Sequence, residues 1–162
     1  MRAEPLGTLR RTHTCNDLRP EHVGQSIVLM GWVHRRRDLG GLIFLDLRDR
    51  YGITQCVLSP GDAEAFAKAE RVRSEFVLAV EGSVQQRPDN TQNKNLDTGE
   101  VEVVVKRLYL LNPSKTLPFP IAEEQAVDES LRLQYRYLDL RRPAMTRNLV
   151  LRHKITKAVR DY

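Results

Sequence analysis

The stretch GWVHRRRDLGGLIFLDLRD, residues 31–49, decides the fold of this chain. Two runs of alternating residues flank the pair Gly40-Gly41, a pattern typical of two strands joined by a tight turn. In the second run, Ile43 and two leucines share one face, whereas Phe44 shares the other face with an aspartate and an arginine. The stretch therefore predicts an antiparallel hairpin whose second strand has one buried face.

Further strand-like runs follow this hairpin along the chain. Strands are predicted over 26–37, 42–48, 53–58, 76–86 and 101–111, and a helix rich in alanine and glutamate over 62–73. Three strands, a helix and two strands is the order of the OB-fold, a five-stranded Greek-key barrel that commonly binds single-stranded nucleic acid. A glycine inside the first strand, Gly31, predicts a close approach of two backbones, as barrels need. The predicted class is mostly β, a five-stranded OB-fold Greek-key barrel with one inserted helix.

The last third of the chain has a different character. We assign residues 1–112 to the barrel and 113–141 to a linker or hinge, because prolines and the acidic run 123–129 interrupt the strand pattern. Residues 142–162 include Pro143, which suits the first turn of a helix, and then repeat apolar side chains at helical spacing. This apolar stripe lacks a predicted packing partner, so we expect a truncated helical segment that begins a further domain.

Composition limits the possible classes of function. The 162 residues include 26 Lys and Arg against 21 Asp and Glu, a net charge of +5 that is compatible with a polyanionic partner without being specific for one. Cys15 and Cys56 have no metal-ligand spacing, so we expect two reduced thiols and no metal site. A signal sequence and a bilayer-length apolar run are both missing from the sequence, so we expect a soluble, cytoplasmic protein.

An aromatic ring beside several arginines is the candidate binding site. Phe44 lies near the start of the second strand and Arg35, Arg36 and Arg37 end the first, so the hairpin brings them close together. Rings stack on unpaired bases and arginines contact phosphates, which predicts a site for single-stranded RNA. Gln55, on the third strand, could bond a base edge. The pattern also permits a plainer alternative, in which Phe44 is a core residue and the arginines form a solvated hairpin tip.

Two long motifs resemble those of bacterial aspartyl-tRNA synthetases, class II enzymes that attach aspartate to tRNA. Residues 31–49 resemble the signature stretch of the family, and LQYRYLDLRRP, residues 133–143, resembles the hinge that leads into its catalytic domain. The runs 11–14 and 97–103 also fit. The resemblance covers nearly the whole chain, which is identified as the N-terminal, anticodon-binding part of such an enzyme.

The resemblance also implies roles for single residues. Phe44 is similar to the ring that stacks on the central anticodon base, and Gln55 is similar to the residue that reads that base. Arg37 matches a contact to the anticodon loop, with Arg35 and Arg36 nearby. A carboxylate such as Glu102 would accept a hydrogen bond from a cytosine amino group. The other anticodon-binding residues that the resemblance implies are Arg73, Arg87 and Asn93.

No catalytic constellation is evident in the sequence, which contains neither a phosphate-binding glycine loop nor a nucleophile elbow. The family motifs that bind ATP and activate aspartate are also missing, so we predict no catalytic residues here and no activity for this segment alone. The resemblance implies ATP and Mg²⁺ as cofactors of the full-length enzyme, tRNA-Asp as its partner, and a homodimer formed partly by residues 144–162. Leu39 resembles the residue found in enzymes that accept only tRNA-Asp.

Three alternatives compete with this interpretation. A free-standing OB-fold for single-stranded nucleic acid in general would need neither the hinge motif at 133–143 nor the amphipathic segment after it. Asparaginyl and lysyl synthetases share the barrel, but both long motifs are closer to the aspartyl type. A dimerisation fragment is the third alternative, and the incomplete helix at the end of the chain disfavours it.

Overall fold

Five strands close into a barrel in the first of the two units into which the chain folds. The computed structural model describes residues 2–121 and 125–162, and the first unit ends at Lys115 while the second spans Thr116–Tyr162. The strands are β1 (Ser26–Leu39), β2 (Leu42–Arg48), β3 (Ile53–Leu58), β4 (Val77–Gln86) and β5 (Val101–Asn112). They follow the order β1-β2-β3-β5-β4 around the barrel, with β3 and β5 parallel. This topology confirms the predicted OB-fold.

The barrel core is built from the apolar face of each strand. The face of β2 that carries Leu45 is fully buried, as the alternation predicts. Helix α1 (Ala63–Glu70) packs Ala65 and Ala69 into the same core. This helix is shorter than predicted, because the chain turns after Glu70 and brings Val72 into the core on its way to β4.

Glycines allow two features of the β1–β2 hairpin. Gly40 and Gly41 have φ angles of +60° and +78°, in the left-handed region that closes the predicted turn. A Cβ atom at Gly31 would lie 2.4 Å from the carbonyl oxygen of Arg48. The close backbone approach predicted at Gly31 is therefore confirmed, and β1 can curl against β2 only because this position has no side chain.

The alternation of β1 is interrupted once along its length. Val33 pairs with Leu47 and Arg35 pairs with Asp46, so His34 is an extra residue without a counterpart on β2, a β-bulge. Side chains beyond the bulge consequently exchange faces. A strict period of two does not predict this exchange, which decides which arginines of β1 share the face of Phe44.

Both cysteines are free thiols, fully buried in the barrel core. Burial is the main cause that raises the pKa of the Cys15 and Cys56 thiols far above their ordinary value. Because the thiolate is the reactive form, we expect iodoacetamide at pH 8 to alkylate neither cysteine in the folded chain and both in guanidinium chloride, as measured by mass spectrometry. Alkylation of the folded chain at the rate of a free thiol would contradict this packing.

The second unit is helical. Its helices are α2 (Glu129–Gln134), α3 (Arg136–Asp139) and α4 (Pro143–Asp161). Phe119, Ile121 and Leu138 form a small buried cluster, whereas all 19 residues of α4 are half-buried or exposed. Two residues of the acidic run, Glu123 and Glu124, lie outside the described residues. The division of the chain into 1–112, 113–141 and 142–162 stays a prediction. Within 2–121 and 125–162, no helix has both the length and the apolar character to cross a bilayer.

One buried carboxylate ties the short helices of this unit together. The Oδ1 atom of Asp139 accepts a hydrogen bond from Arg132 Nε at 2.9 Å, and Oδ2 accepts one from Arg136 Nη1 at 2.9 Å. The hydrogen bond from Arg132 is the largest of the effects that lower the pKa of Asp139. These contacts therefore stabilise the unit above the ordinary aspartate pKa, and the stabilisation is lost as the pH falls through the lower folded-state pKa.

We expect the Asp139 carboxyl group to titrate in the folded chain with a midpoint below 3.8, the ordinary value for aspartate. Its carboxyl carbon chemical shift, followed by NMR as the pH is lowered, measures this midpoint. A midpoint at or above 3.8 would show that the arginines do not bind this carboxylate in solution.

Candidate nucleic-acid interface

An open groove of about 330 Å³ lies on the outer face of β1, β2 and β3, beside the loop that joins β4 to β5. Basic and polar side chains line it at the hairpin, and the loop contributes polar side chains and one leucine. The lining residues are Arg35, Arg37, Leu39, Phe44, Asp46, Gln55, Arg87, Thr91, Asn93 and Leu96. Six of them were predicted site residues, so the fold brings most of the predicted set to one place.

Phe44 lies in this groove and not in the core. It occupies the half-buried face of β2, between the buried Ile43 and Leu45. Across the hairpin it pairs with Arg37, whose guanidinium carbon lies 5.9 Å from the centroid of the ring. The structure thus decides against the alternative in which Phe44 is a core residue, and it leaves an aromatic face beside a cation.

A chain of hydrogen bonds crosses the floor of the groove. Arg37 Nη2 donates to Asp46 Oδ1 at 2.7 Å and to Gln55 Oε1 at 3.1 Å. Gln55 Nε2 in turn donates to Glu102 Oε2 at 2.7 Å. These contacts fix the amide of Gln55 with its oxygen towards β1 and its nitrogen towards β5. These contacts use one oxygen lone pair and one amide hydrogen of Gln55, and the second of each takes no part in them.

Arg87 supports this floor from beneath. It is 4% exposed, its Nε donates to the carbonyl oxygen of Val101 at 3.1 Å, and the same nitrogen lies 3.8 Å from Glu102 Oε2. Its Nη2 is buried without a hydrogen-bond partner among the described residues. Burial lowers the pKa of Arg87 and the nearby Glu102 carboxylate opposes that effect. The cation therefore holds the Glu102 carboxylate in place.

Three predicted residues do not line the groove: Arg36, Arg73 and Glu102. Glu102 is hydrogen-bonded to Gln55, which does line it. Arg36 pairs with the inward-facing Leu45 and donates from Nε to the carbonyl oxygen of Ala69, at the end of α1. Arg73 is exposed and lies in the connection between α1 and β4. Asn93 does line the groove, and its backbone N–H donates to the carbonyl oxygen of Gly99, which closes the loop on itself.

Sequence reasoning did not assign a role to Asp46 or Leu96, which also line the groove. Asp46 shares a strand face with Phe44, so the alternation of β2 already indicated its position, although not its bond to Arg37. Leu96 comes from the middle of a polar loop, where no periodic signal marks it. In the part of the chain that the structure describes, no cluster of three histidine, cysteine or carboxylate side chains is placed to hold a metal ion.

Comparison with known families agrees with this fold. Residues 27–111 match the OB-fold nucleic acid binding domain of the tRNA anticodon type, and the chain belongs to this family. Residues 128–162 match the class II tRNA synthetases of the D, K and N group. The predicted resemblance to this class of synthetase is thereby confirmed.

More particular similarities point to one kind of synthetase. The chain is 58% identical over 160 residues to an aspartate–tRNA(Asp/Asn) ligase of Desulfotalea psychrophila and 57% identical over 155 residues to one of Heliobacterium modesticaldum. These alignments cover 98% and 95% of the chain but 26% of each relative, so the chain spans about a quarter of their length. Asparaginyl-tRNA synthetase of Pyrococcus horikoshii matches 95% of the chain and 34% of its own, with a TM-score of 0.80 and 29% identity.

Proposed function

We propose that this chain is the anticodon-binding part of an aspartate–tRNA ligase and that its groove holds the anticodon loop of tRNA-Asp. The observation that carries the proposal is the juxtaposition of Phe44 with Arg37 and Gln55 in one groove. A stacking ring, a cation and an oriented amide are the three elements that sequence-specific recognition of an unpaired base requires. The high identity to aspartate–tRNA(Asp/Asn) ligases supports the same function.

The geometry suits uracil, the central anticodon base of tRNA-Asp, because aspartate codons have adenine at their second position. Phe44 offers a face for stacking, a contact worth about 1–3 kcal/mol per base. Gln55 offers one hydrogen and one lone pair, which match a uracil carbonyl and the neighbouring N3–H. Because Arg37 and Glu102 fix the direction of the amide, the donor and the acceptor keep their order and would mismatch cytosine.

Arg35 provides the phosphate contact of this proposal. It is exposed and lines the groove on β1, four residues before the end of that strand at Leu39. A flexible cation at this position can follow the RNA backbone without reading sequence. Binding should therefore weaken as the salt concentration rises, since each phosphate contact releases counterions.

The rest of the enzyme lies beyond this segment in the proposal. ATP and Mg²⁺ would act in the catalytic domain, and α4 would contribute to a homodimer of the full-length protein. We also propose a cytoplasmic location, where tRNA is charged. The side chains of the groove form ion pairs with one another and bind an RNA loop; none of them is assigned a chemical step.

Binding of anticodon stem-loops by the 162-residue chain tests the proposal. We expect the tRNA-Asp stem-loop to bind more tightly than the same stem-loop with its central uracil changed to cytosine, by about 1–3 kcal/mol at fixed salt. Fluorescence anisotropy with labelled RNA measures both dissociation constants. Equal affinities would reduce the chain to a non-specific OB-fold and would refute the role of Gln55.

The third anticodon base provides a separate prediction about Glu102. This base is cytosine in tRNA-Asp and uracil in tRNA-Asn, and a carboxylate accepts from the cytosine amino group. We expect the cytosine stem-loop to bind about 1 kcal/mol more tightly, and Glu102→Gln to remove most of this preference. The curated relatives are named for both tRNAs, so equal binding of both RNAs by the unmodified chain would assign Glu102 only to holding Gln55.

A further inference from the structure

One extra residue in β1 decides which arginines face the groove. Up to Val33, the odd-numbered positions of β1 point into the barrel, but the bulge at His34 turns Arg35 and Arg37 outward, onto the face of Phe44. Without the bulge, regular alternation would place Arg36 on that face instead. The position of the bulge is therefore a condition for the site described above.

The backbone of the bulge is held by the chain segment that precedes β4. The Val33 N–H donates to the carbonyl oxygen of Phe76 at 2.9 Å, and the Glu75 N–H donates to the carbonyl oxygen of Val33 at 2.7 Å. These two bonds continue the β1–β4 pairing by one residue, past its last regular pair of Trp32 with Val77. They fix Val33 immediately before the chain bulges.

Side chains hold the bulge a second time. Arg48 Nη1 lies 3.0 Å from His34 Nδ1, and Arg48 Nη2 lies 2.8 and 2.9 Å from the two carboxylate oxygens of Glu75. The Glu75 side chain is 5% exposed and that of Arg48 is 15% exposed, so this is a largely dry ion pair. Arginine can only donate, so His34 accepts as neutral imidazole. Burial and Arg48 both lower the pKa of His34, in agreement with this role.

The backbone of Glu75 has an unfavourable conformation. Its φ angle is +63°, in the left-handed region that residues other than glycine rarely adopt. Such conformations are unfavourable and persist only where surrounding contacts impose them. Here one residue binds Val33 through its backbone and Arg48 through its side chain. The same residue thus connects the bulge to the end of β2.

We propose that Glu75 and Arg48 form a clamp that holds the bulge at His34, and that this clamp positions Arg35 and Arg37 beside Phe44 for RNA. The clamp residues lie outside the groove lining and touch no ligand in this proposal. They are positioning residues, whose effect on RNA passes through the register of β1. The inference rests on the proposed function for its consequence in binding, but the structural part is independent of RNA.

The variant Glu75→Gln tests the clamp in the 162-residue chain, because it keeps the shape of the side chain and removes its charge. We expect the nuclear Overhauser contacts between the Arg37 side chain and the Phe44 ring to weaken or vanish. With the anticodon stem-loop, we expect the dissociation constant to rise about tenfold, and the slope of its logarithm against the logarithm of salt concentration to fall by about 0.7, for the lost phosphate contact of Arg35.

The matched control is Glu81→Gln, the same substitution in β4. Glu81 accepts a hydrogen bond from the Tyr109 hydroxyl at 2.7 Å and does not line the groove, so both readouts should stay at their original values. In an Arg35→Ala/Arg37→Ala background, Glu75→Gln should change the dissociation constant less than twofold, since the arginines that it positions are gone. A general loss of stability would instead weaken binding equally in both backgrounds.

The outcomes separate the two proposals. Failure of the unmodified chain to bind the stem-loop overturns the proposed function. In that case the clamp is tested without RNA, by comparing the Arg37–Phe44 contacts in the unmodified chain and in Glu75→Gln. Persistence of those contacts in folded Glu75→Gln overturns the clamp. If Glu75→Gln does not fold, His34→Ala decides by the same contacts, because it removes the acceptor of Arg48 and leaves the ion pair with Glu75 intact.

Discussion

Replacing Phe44 by alanine is expected to weaken binding of the tRNA-Asp anticodon stem-loop by about 1–3 kcal/mol at fixed salt. The ring provides the stacking face of the groove, and no other aromatic side chain lines it among the described residues. Arg37, whose guanidinium lies near the ring, keeps its bonds to Asp46 and Gln55 in the variant. The loss is therefore one of stacking and not of charge, so the salt dependence of binding should not change.

Tyr51→Ala is the matched control for Phe44→Ala. Tyr51 is 53% exposed in the turn between β2 and β3, and it lies under Arg50 much as Phe44 lies under Arg37, but outside the groove. We expect its affinity for RNA to equal that of the unmodified chain. If Phe44→Ala binds as tightly as Tyr51→Ala, the groove does not stack a base, even though the fold and the family would stand.

The largest effect on stability is expected from Gly31→Ala. A Cβ atom there would lie 2.4 Å from the carbonyl oxygen and 3.0 Å from the carbonyl carbon of Arg48. Both atoms belong to the backbone of β2, so they can move only if the hairpin opens. Overpacking of this kind costs about 3 kcal/mol, which corresponds to a fall of about 10 °C in the melting temperature of a domain of this size.

Gly61→Ala separates this steric effect from the general effect of removing a glycine. The added Cβ would meet only the Ser59 hydroxyl oxygen, at 3.5 Å, which is ordinary contact. Thermal unfolding followed by circular dichroism should give melting temperatures near that of the unmodified chain for Gly61→Ala and well below it for Gly31→Ala. Equal melting temperatures would mean that β1 and β2 do not approach each other as closely as the structure has them.

Some residues of the groove could be predicted from the sequence and others could not, for a structural reason. Phe44 follows from alternation along β2, where buried and half-buried positions alternate from end to end. Gln55 was proposed for its residue type on the third strand, where every position after Ile53 is buried and alternation gives no signal. Arg36 was predicted as a site residue together with Arg35 and Arg37, because the sequence alone does not show which of three adjacent arginines faces the same side as Phe44. The bulge at His34 separates them, and bulges depend on contacts with distant segments.

The sequence by itself determined the class of fold and the order of the strands along the chain, and it indicated which face of β2 carries Phe44. The strands follow from alternating apolar residues, the helix from its helical run, and the hairpin from the glycine pair at its turn. Each of these signals is local, because it depends only on residues that are close together in the sequence. The tertiary structure alone decided that Arg35 and Arg37, and not Arg36, share the face of Phe44. It also decided that Gln55 is held between Arg37 and Glu102. Both depend on contacts between residues far apart in the chain, which no local period encodes.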